Sequence, residues 1–358
     1  MQTDVLIAGA GLGGLSLAAK LQKNGTDFLL AEARERVGGR ILTSRLGDAG
    51  SPACLADLGP SWVWPGQGRI AALLAELGIE VFEQYSAGLL VYEDETGQVR
   101  RDLDYSSMAG SLRIDGGIAM VSERLAATLD NTRLYSGHRV SAVRKDADGY
   151  RVELLHSAGN LSVQTEKVVL AIPPRVIAER IAFEPALPEQ ALQEMRSIPT
   201  WMAAHAKLFA LYDEPFWRAR GLSGDGISRR GPLMEIHDAS PPHPGRGALF
   251  GFVGLEAGSP GREPSRLEAD AVRQLEAMYG AEAAQPLEVV VMDWSREELT
   301  ATALDRMTTQ HPRYGMPPGM AALAGSGLLF ASSEMAPQFG GFIEGALEAA
   351  QQSFEQLQ

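Results

Sequence analysis

Gly9, Gly11 and Gly14, in Asp4-Val-Leu-Ile-Ala-Gly9-Ala-Gly11-Leu-Gly-Gly14, together with Glu32 at the end of Phe28-Leu-Leu-Ala-Glu32, have the types and spacing to cradle a dinucleotide. Gly9 lets a strand turn sharply, Gly11 lets the backbone approach a pyrophosphate with no Cβ in the way, and Gly14 lets the following helix pack on the strand. The phosphates are then expected on the N-terminus of that helix, where free N–H groups and the dipole favour anions. Glu32, about 20 residues beyond the middle glycine, is placed to accept from the two hydroxyls of a ribose. A carboxylate there repels a 2′-phosphate and argues against NADP, leaving NAD or FAD.

A second candidate is Lys207, in Ala203-Ala-His-Ala-Lys207-Leu-Phe-Ala-Leu-Tyr212. Burying an unpaired ammonium is expensive, so a lysine with almost wholly apolar neighbours needs partners or a task. Arg34 is expected at the cofactor, with ordinary surface pairing as the competing reading for it and for Arg36, whereas Arg40, behind Gly38 and Gly39, is expected to return toward the phosphates. Metal chemistry is not expected: Cys54 is the single cysteine, and six histidines lack ligand spacing. His237 and His243 have no partner at useful spacing and are read as incidental.

These residues require elements to hold them. The apolar run from Asp4, the amphipathic segment ending near Asn24-Gly25 and the run at Phe28 read as strand, helix and strand. Arg69 to Gly78 has helical periodicity with a glycine stop, and Val81 to Arg101 reads as two or three strands with a turn at Glu95-Thr-Gly97. Another helix follows Gly116-Gly117. Arg139 to Val143 and Tyr150 to Leu155 flank a turn at Asp146 to Gly149, and Lys167 to Ile172 is a buried strand stopped by Pro173-Pro174. Residues 221–264 read as mostly loop, with short strands near 232–237 and 248–253. A helix over 264–279, a strand over 287–292, a strand at Leu328 and a closing helix after Gly340-Gly341 complete the chain.

Composition excludes several classes. The 358 residues are 45% apolar and 22% charged, ordinary for a globular chain of more than one lobe. A formal net charge of −13 makes nucleic acid an unsuitable partner; it could attract cationic amines, or simply keep the protein soluble. No run approaches the ~20 apolar residues of a membrane helix. A first strand beginning at Asp4 or Val5 leaves no room for a leader, so a cytoplasmic location is expected.

The run Glu32-Ala-Arg34-Glu-Arg36-Val-Gly38-Gly39-Arg40, with Asp57-Leu-Gly59-Pro60-Ser61-Trp62 and Glu334-Met-Ala-Pro-Gln-Phe339-Gly340-Gly341-Phe342-Ile343, resembles the flavin-containing amine oxidase family, and the resemblance spans nearly the whole chain. It implies an α/β, two-lobed FAD-binding fold, Rossmann-like of the glutathione reductase type, with a smaller α+β substrate domain. Residues 1–77, 113–187 and 303–358 would form the FAD-binding domain and 78–112 and 188–302 a reduced substrate domain with an open entrance. The resemblance further implies that Val140 meets the adenine through its backbone, that Glu334 faces the ribityl or pyrophosphate region, and that Gly341, Phe342 and Ile343 aim a helix N-terminus at the flavin. Lys207, ahead of Glu214-Pro-Phe-Trp217, would hold a water against flavin N5. Trp294, Phe342 and Tyr314 would border the substrate.

Pro317-Pro318-Gly319 lacks the preceding cysteine through which covalent members attach flavin, so non-covalent FAD is expected. The implied reaction is oxidation of a small amine by hydride transfer to N5, giving an imine and then an aldehyde or ketone, with O2 as electron acceptor and H2O2 as product. Two alternatives stay open: a flavin desaturase or dehydrogenase on a non-amine substrate with another acceptor, or a non-catalytic FAD-binding subunit. The particular amine and the oligomeric state do not follow from the sequence.

Overall fold

The computed structural model describes residues 1–48, 54–307 and 310–358. The strand Gln2–Ala8 stops at Gly9, whose φ of +100° is a left-handed value that other residues avoid. The helix Leu12–Lys23 starts at once and runs back over the strand. It can do so because Gly14 has no side chain: a Cβ there would lie 1.9 Å from the Gly9 carbonyl oxygen. The fully buried strand Phe28–Ala31 then pairs parallel to the first and delivers Glu32 at its end.

An eight-stranded sheet grows around this unit. Leu161–Leu170 lies parallel to the first strand on its other side, and Leu328–Phe330 comes from far along the chain to pair with it. The antiparallel strands Arg139–Asp146 and Gly149–Leu155 extend the sheet beyond Leu161–Leu170. The closing helix Ile343–Leu357 packs beside Leu12–Lys23. Gly13 lies between this helix and the segment before it: a Cβ there would be 3.4 Å from the Ala346 carbonyl oxygen and 2.5 Å from that of Ala331.

A second, seven-stranded sheet has the order Glu288–Asp293, Ala206–Tyr212, Gly247–Val253, Leu233–Asp238, Leu222–Ser228, Leu89–Glu93, Val99–Leu103. Leu222–Ser228 corrects the expectation of loop there: Ser223, Gly224, Asp225 and Gly226 hide the strand from an apolar-pattern reading, yet it pairs with Leu233–Asp238 and Leu89–Glu93. One face of this sheet packs on the helix Pro264–Tyr279 through Leu208, Ala210, Leu249, Ala271, Leu275 and Met278. The other carries Phe209, Leu211 and Phe250 against Leu46, Ala56 and Leu58. No helix among the described residues is long and apolar enough to cross a membrane.

Candidate active site

The glycine turn, the second sheet and the N-terminus of the closing helix converge on one cavity of about 530 Å³. At one end lie Gly9, Gly11 and Gly39. Gly11 precedes the first helix, no side chain caps that helix, and its φ of −68° is ordinary. A Cβ on Gly11 would find no atom of the protein nearer than the Gly38 carbonyl oxygen at 4.0 Å, so its place is empty space in a cradle. The Gly38-Gly39 loop is held to the turn by the Gly38 N–H, which donates to the Ala10 carbonyl, and by Arg36, which donates to the carbonyls of Val37, Gly39 and Ile41.

Glu32 is 4% exposed and accepts from the Ala10 and Arg34 N–H groups at 2.7 and 2.9 Å, so both oxygens are fixed at the cavity wall. Arg34 also lines the cavity but is tied to Glu297 at 2.8 Å and to Thr300. Val140 stands beside them, next to a bulge in its strand. His138, not anticipated from sequence, joins this end; its Nδ1 lies 2.7 Å from the Ser136 carbonyl and its ring stacks on His156.

Arg40 lines the cavity with its guanidinium on the two oxygens of Glu334 at 2.6 and 3.1 Å and on Ser333. This corrects the expectation for Glu334: it is wholly buried and does not line the cavity. Burial lowers the affinity of Arg40 for its proton, but Glu334 outweighs it and holds the group above its ordinary value. Glu334 therefore fixes the Arg40 guanidinium at the cavity wall.

Across the cavity stand Gly59, Pro60, Ser61, Trp62 and, from the second sheet, Lys207. Lys207 is 5% exposed, and its Nζ donates to the carbonyls of Asp57 and Gly59 and, at 2.8 Å, to the Ser61 hydroxyl. It lies over the rings of Phe250 and Phe252, 4.8 and 5.1 Å from their centroids. Burial lowers its pKa to about 7; Asp57 opposes the shift and Arg113 adds to it. Trp294 borders the same space, and its Nε1 donates to the Leu58 carbonyl.

Gly341, Phe342 and Ile343 form the opposite wall, at the start of a helix that no side chain caps. Glu344, in its first turn, points elsewhere and accepts the Arg69 and Ile70 N–H groups at 3.0 and 2.8 Å. Tyr314 is a further correction. It does not line the cavity: it packs against Gly340, whose Cβ would lie 2.2 Å from that of Tyr314, and donates to the Pro199 carbonyl. The aromatic facing the cavity beside Phe342 is Trp201, with ring centroids 6.3 Å apart. Trp201 sits in a turn whose next residue, Met202, has φ +58°, unusual for a non-glycine residue. No sequence pattern marks it.

Strand register brings in another unanticipated group. Glu235, Phe252, Lys207 and Met292 are cross-strand neighbours in one row of the second sheet, and His237, Phe250, Phe209 and Val290 form the next. Glu235 and Lys207, two strands apart, are therefore about 10 Å apart at Cα, from a strand spacing of roughly 4.8 Å. Glu235 lines the cavity. His237 is not incidental, as its spacing suggested: it is 1% exposed, with ring nitrogens 2.9 Å from Asp225 and 2.9 Å from Glu235. His243 is exposed, 3.5 Å from Asp115.

Two uncapped helix N-termini and the buried carboxylate of Glu32 thus open onto one cavity walled by aromatics and a buried lysine, an arrangement with donors for anionic groups at one end and an apolar wall at the other. The sequence pattern of the flavin containing amine oxidoreductases matches residues 12–102 and 82–355. The chain belongs to this family, an FAD-dependent amine oxidoreductase in class. It is 27% identical to the putative flavin-containing monoamine oxidase AofH of Mycobacterium tuberculosis, over 98% of this chain and 95% of that protein. It is 26% identical to the putrescine oxidase of Kocuria rosea, over 85% and 84%. Among solved structures, a wild-type putrescine oxidase bound to putrescine matches with a TM-score of 0.82 at 23% identity, over 100% of this chain and 99% of that one. Cyclohexylamine oxidase from Brevibacterium oxydans IH-35A matches at 0.80 and 21%, over 99% and 98%. The residues present fit FAD: the Gly11 cradle is the space that a side chain would fill, and the two helix N-termini offer donors to anionic groups.

Proposed function

We propose that the chain oxidises the C–N bond of a small amine, with FAD held non-covalently and dioxygen as the electron acceptor. FAD supplies the hydride acceptor, N5: the carbon bearing the amine loses a hydride equivalent, the imine hydrolyses to an aldehyde or ketone, and dioxygen takes the electrons to give hydrogen peroxide. The observation that carries this reading is Lys207, buried in the cavity wall between the aromatic rings and Ser61.

In this reading Gly9, Gly11, Gly39 and Arg40 hold the pyrophosphate, Glu32, Arg34 and Val140 the adenosine end, and Gly341, Phe342 and Ile343 the ring. Gly14 serves by letting the helix close on the turn. Gly59, Pro60, Ser61 and Trp62 shape the wall that positions Lys207, which in this reading holds a water against flavin N5 and, being buried, gives up its proton more readily than an exposed lysine. Trp201, Phe342 and Trp294 border the amine. Residues 1–77, 113–187 and 303–358 serve as the FAD-binding domain and 78–112 and 188–302 as the substrate domain; the composition of the two sheets supports this division. Non-covalent binding is supported by Cys54, which is buried among Leu46, Phe209 and Phe250 with its thiol pushed up to about 11 by burial.

The cavity also suggests the kind of amine. A carboxylate, Glu235, about 10 Å from Lys207 by strand spacing, suits a substrate with a second cationic group, such as a diamine. Visible absorbance recorded anaerobically with monoamines and diamines, then in air with peroxide measured, tests the proposal. Bleaching by an amine, restored by air with one peroxide per turnover, is expected. A spectrum that no amine bleaches refutes amine oxidation, and bleaching that air does not reverse refutes dioxygen as acceptor.

A further inference from the structure

Behind the cavity carboxylate lies a second layer of charge. His237 is directly flanked by Asp225 from the neighbouring strand and by Glu235 from its own, each 2.9 Å from a different ring nitrogen. Ser106 donates to the far oxygen of Asp225 at 2.6 Å, and Ser107 reaches Glu235. A neutral imidazole has one N–H and can serve only one of these carboxylates; the other contact would set lone pair against lone pair inside the protein. Two N–H groups satisfy both. With both carboxyl groups ionised, the geometry requires an imidazolium between them. Burial works against the charge, but the two carboxylates outweigh it and raise the proton affinity of His237, while the same hydrogen bond lowers that of Glu235.

We propose that His237, backed by Asp225, is the positioning residue that fixes the Glu235 carboxylate in the cavity wall and thereby sets selectivity for substrates with a second cationic group. This rests on the reading of Glu235 as the anchor for that group. The fold provides the means: Glu235 and His237 are two residues apart on one strand and so share a face, and the T-shaped contact of His237 with Trp62, at 5.1 Å, stops the ring from turning. Glu235 is partly exposed, and without the clamp its carboxylate could rotate away. His237 has no access to substrate and acts only through Glu235.

The clamp carries a pH signature. The charged groups facing His237 are Asp225 and Glu235 in contact, and Lys207 across the Phe250 ring. Behind Asp225 stand Tyr279 and Asp238, the latter paired with Arg218. The clamp depends on the proton of the second ring nitrogen, so it is lost as pH rises through the pKa of the folded imidazolium, which the two carboxylates hold above the ordinary histidine value. The ratio of diamine to monoamine kcat/KM, in which effects common to both substrates cancel, is expected to fall over that interval.

The test uses the FAD-loaded enzyme with a diamine and a monoamine of equal carbon number. Glu235→Gln is expected to lower the selectivity ratio by about 10- to 100-fold, the worth of a hydrogen bond to a charged group. His237→Gln is expected to lower it about tenfold, through the KM for the diamine rather than kcat. Asp225→Asn is expected to move the fall of the ratio about one pH unit toward acid. Nitrogen NMR of 15N-histidine-labelled protein, with His237 assigned by the shift of its signals in Asp225→Asn, is expected to show both ring nitrogens protonated at pH 7. An unchanged ratio in Glu235→Gln overturns the anchor reading itself. A ratio that falls in Glu235→Gln but not in His237→Gln overturns the clamp alone. Should His237→Gln fail to fold, the NMR decides: a single protonated nitrogen at pH 7 overturns the proposal.

Discussion

Replacing Gly11 by alanine separates the cofactor from the fold that holds it. Gly11 has φ −68° and ψ 177°, an extended backbone that alanine adopts without strain. The added methyl would meet no protein atom closer than 4.0 Å. The apoprotein is therefore expected to be unharmed, or stabilised by about 0.4–1 kcal/mol through the less flexible unfolded chain. The same methyl stands where the phosphates approach the first N–H groups of the helix. Those donors work at about 2.9 Å, so a carbon in the cradle lengthens the bonds past usefulness. Each hydrogen bond to a charged group contributes about 1.5–3 kcal/mol. The loss of two predicts FAD affinity lowered by at least about 100-fold. Titration of apoprotein with FAD, followed by flavin fluorescence, reads the affinity, and the apoprotein melting temperature reads the fold. Gly14→Ala is the contrast: its Cβ would lie 1.9 Å from the Gly9 carbonyl, so the apoprotein itself should lose about 3 kcal/mol. Gly11→Ala protein that binds FAD within threefold of the parent would refute the placement of the phosphates.

Lys207→Met should retain FAD but slow flavin reduction by amine. In addition, the native lysine is held to about 7 while the unfolded value is 10.5, so between those pH values the unfolded chain binds more protons and stability rises with pH. Melting curves should show the parent gaining stability over the variant from pH 7 to 10; a constant difference would refute the depressed proton affinity. Arg40→Ala leaves Glu334, wholly buried, without its partner and should cost about 3–5 kcal/mol in chemical denaturation. Recovery of most of that loss in Arg40→Met with Glu334→Met, without recovery of FAD binding, would separate the pair's structural and cofactor roles. Tyr314→Phe loses only the bond to the Pro199 carbonyl and should change amine KM less than about twofold, whereas Trp201→Ala should change it about tenfold or more. The reverse order would restore Tyr314 to the cavity.

Features that depend on local chemistry are legible in the amino-acid order. The glycine turn, the helix it opens and the carboxylate closing the next strand are readable because each needs a particular residue at a short, set distance: Gly9 a left-handed φ, Gly14 contact with the turn, Glu32 the end of a parallel strand. Lys207 was legible because an ammonium among apolar neighbours must have partners, although Asp57, Gly59 and Ser61 could not be identified as those partners. The closing helix and its glycine pair were legible for the same local reason.

Tertiary structure alone decided which side chains meet. Glu334 and Arg40 are 294 residues apart, and only the return of Leu328–Phe330 to the first sheet turns a presumed cofactor contact into a pair that positions the arginine. Tyr314 and Trp201 exchange places because Gly340 lets the tyrosine sink against the helix start while an irregular turn lifts the tryptophan over Gly341. The serine- and glycine-rich strand Leu222–Ser228 has no apolar alternation to announce it, so neither Asp225 nor its contact with His237 could be foreseen. Spacing along a chain reports the period of one element. Register between strands, set by packing of whole faces against the helix Pro264–Tyr279 and the cavity wall, is what puts Glu235 in a row with Lys207.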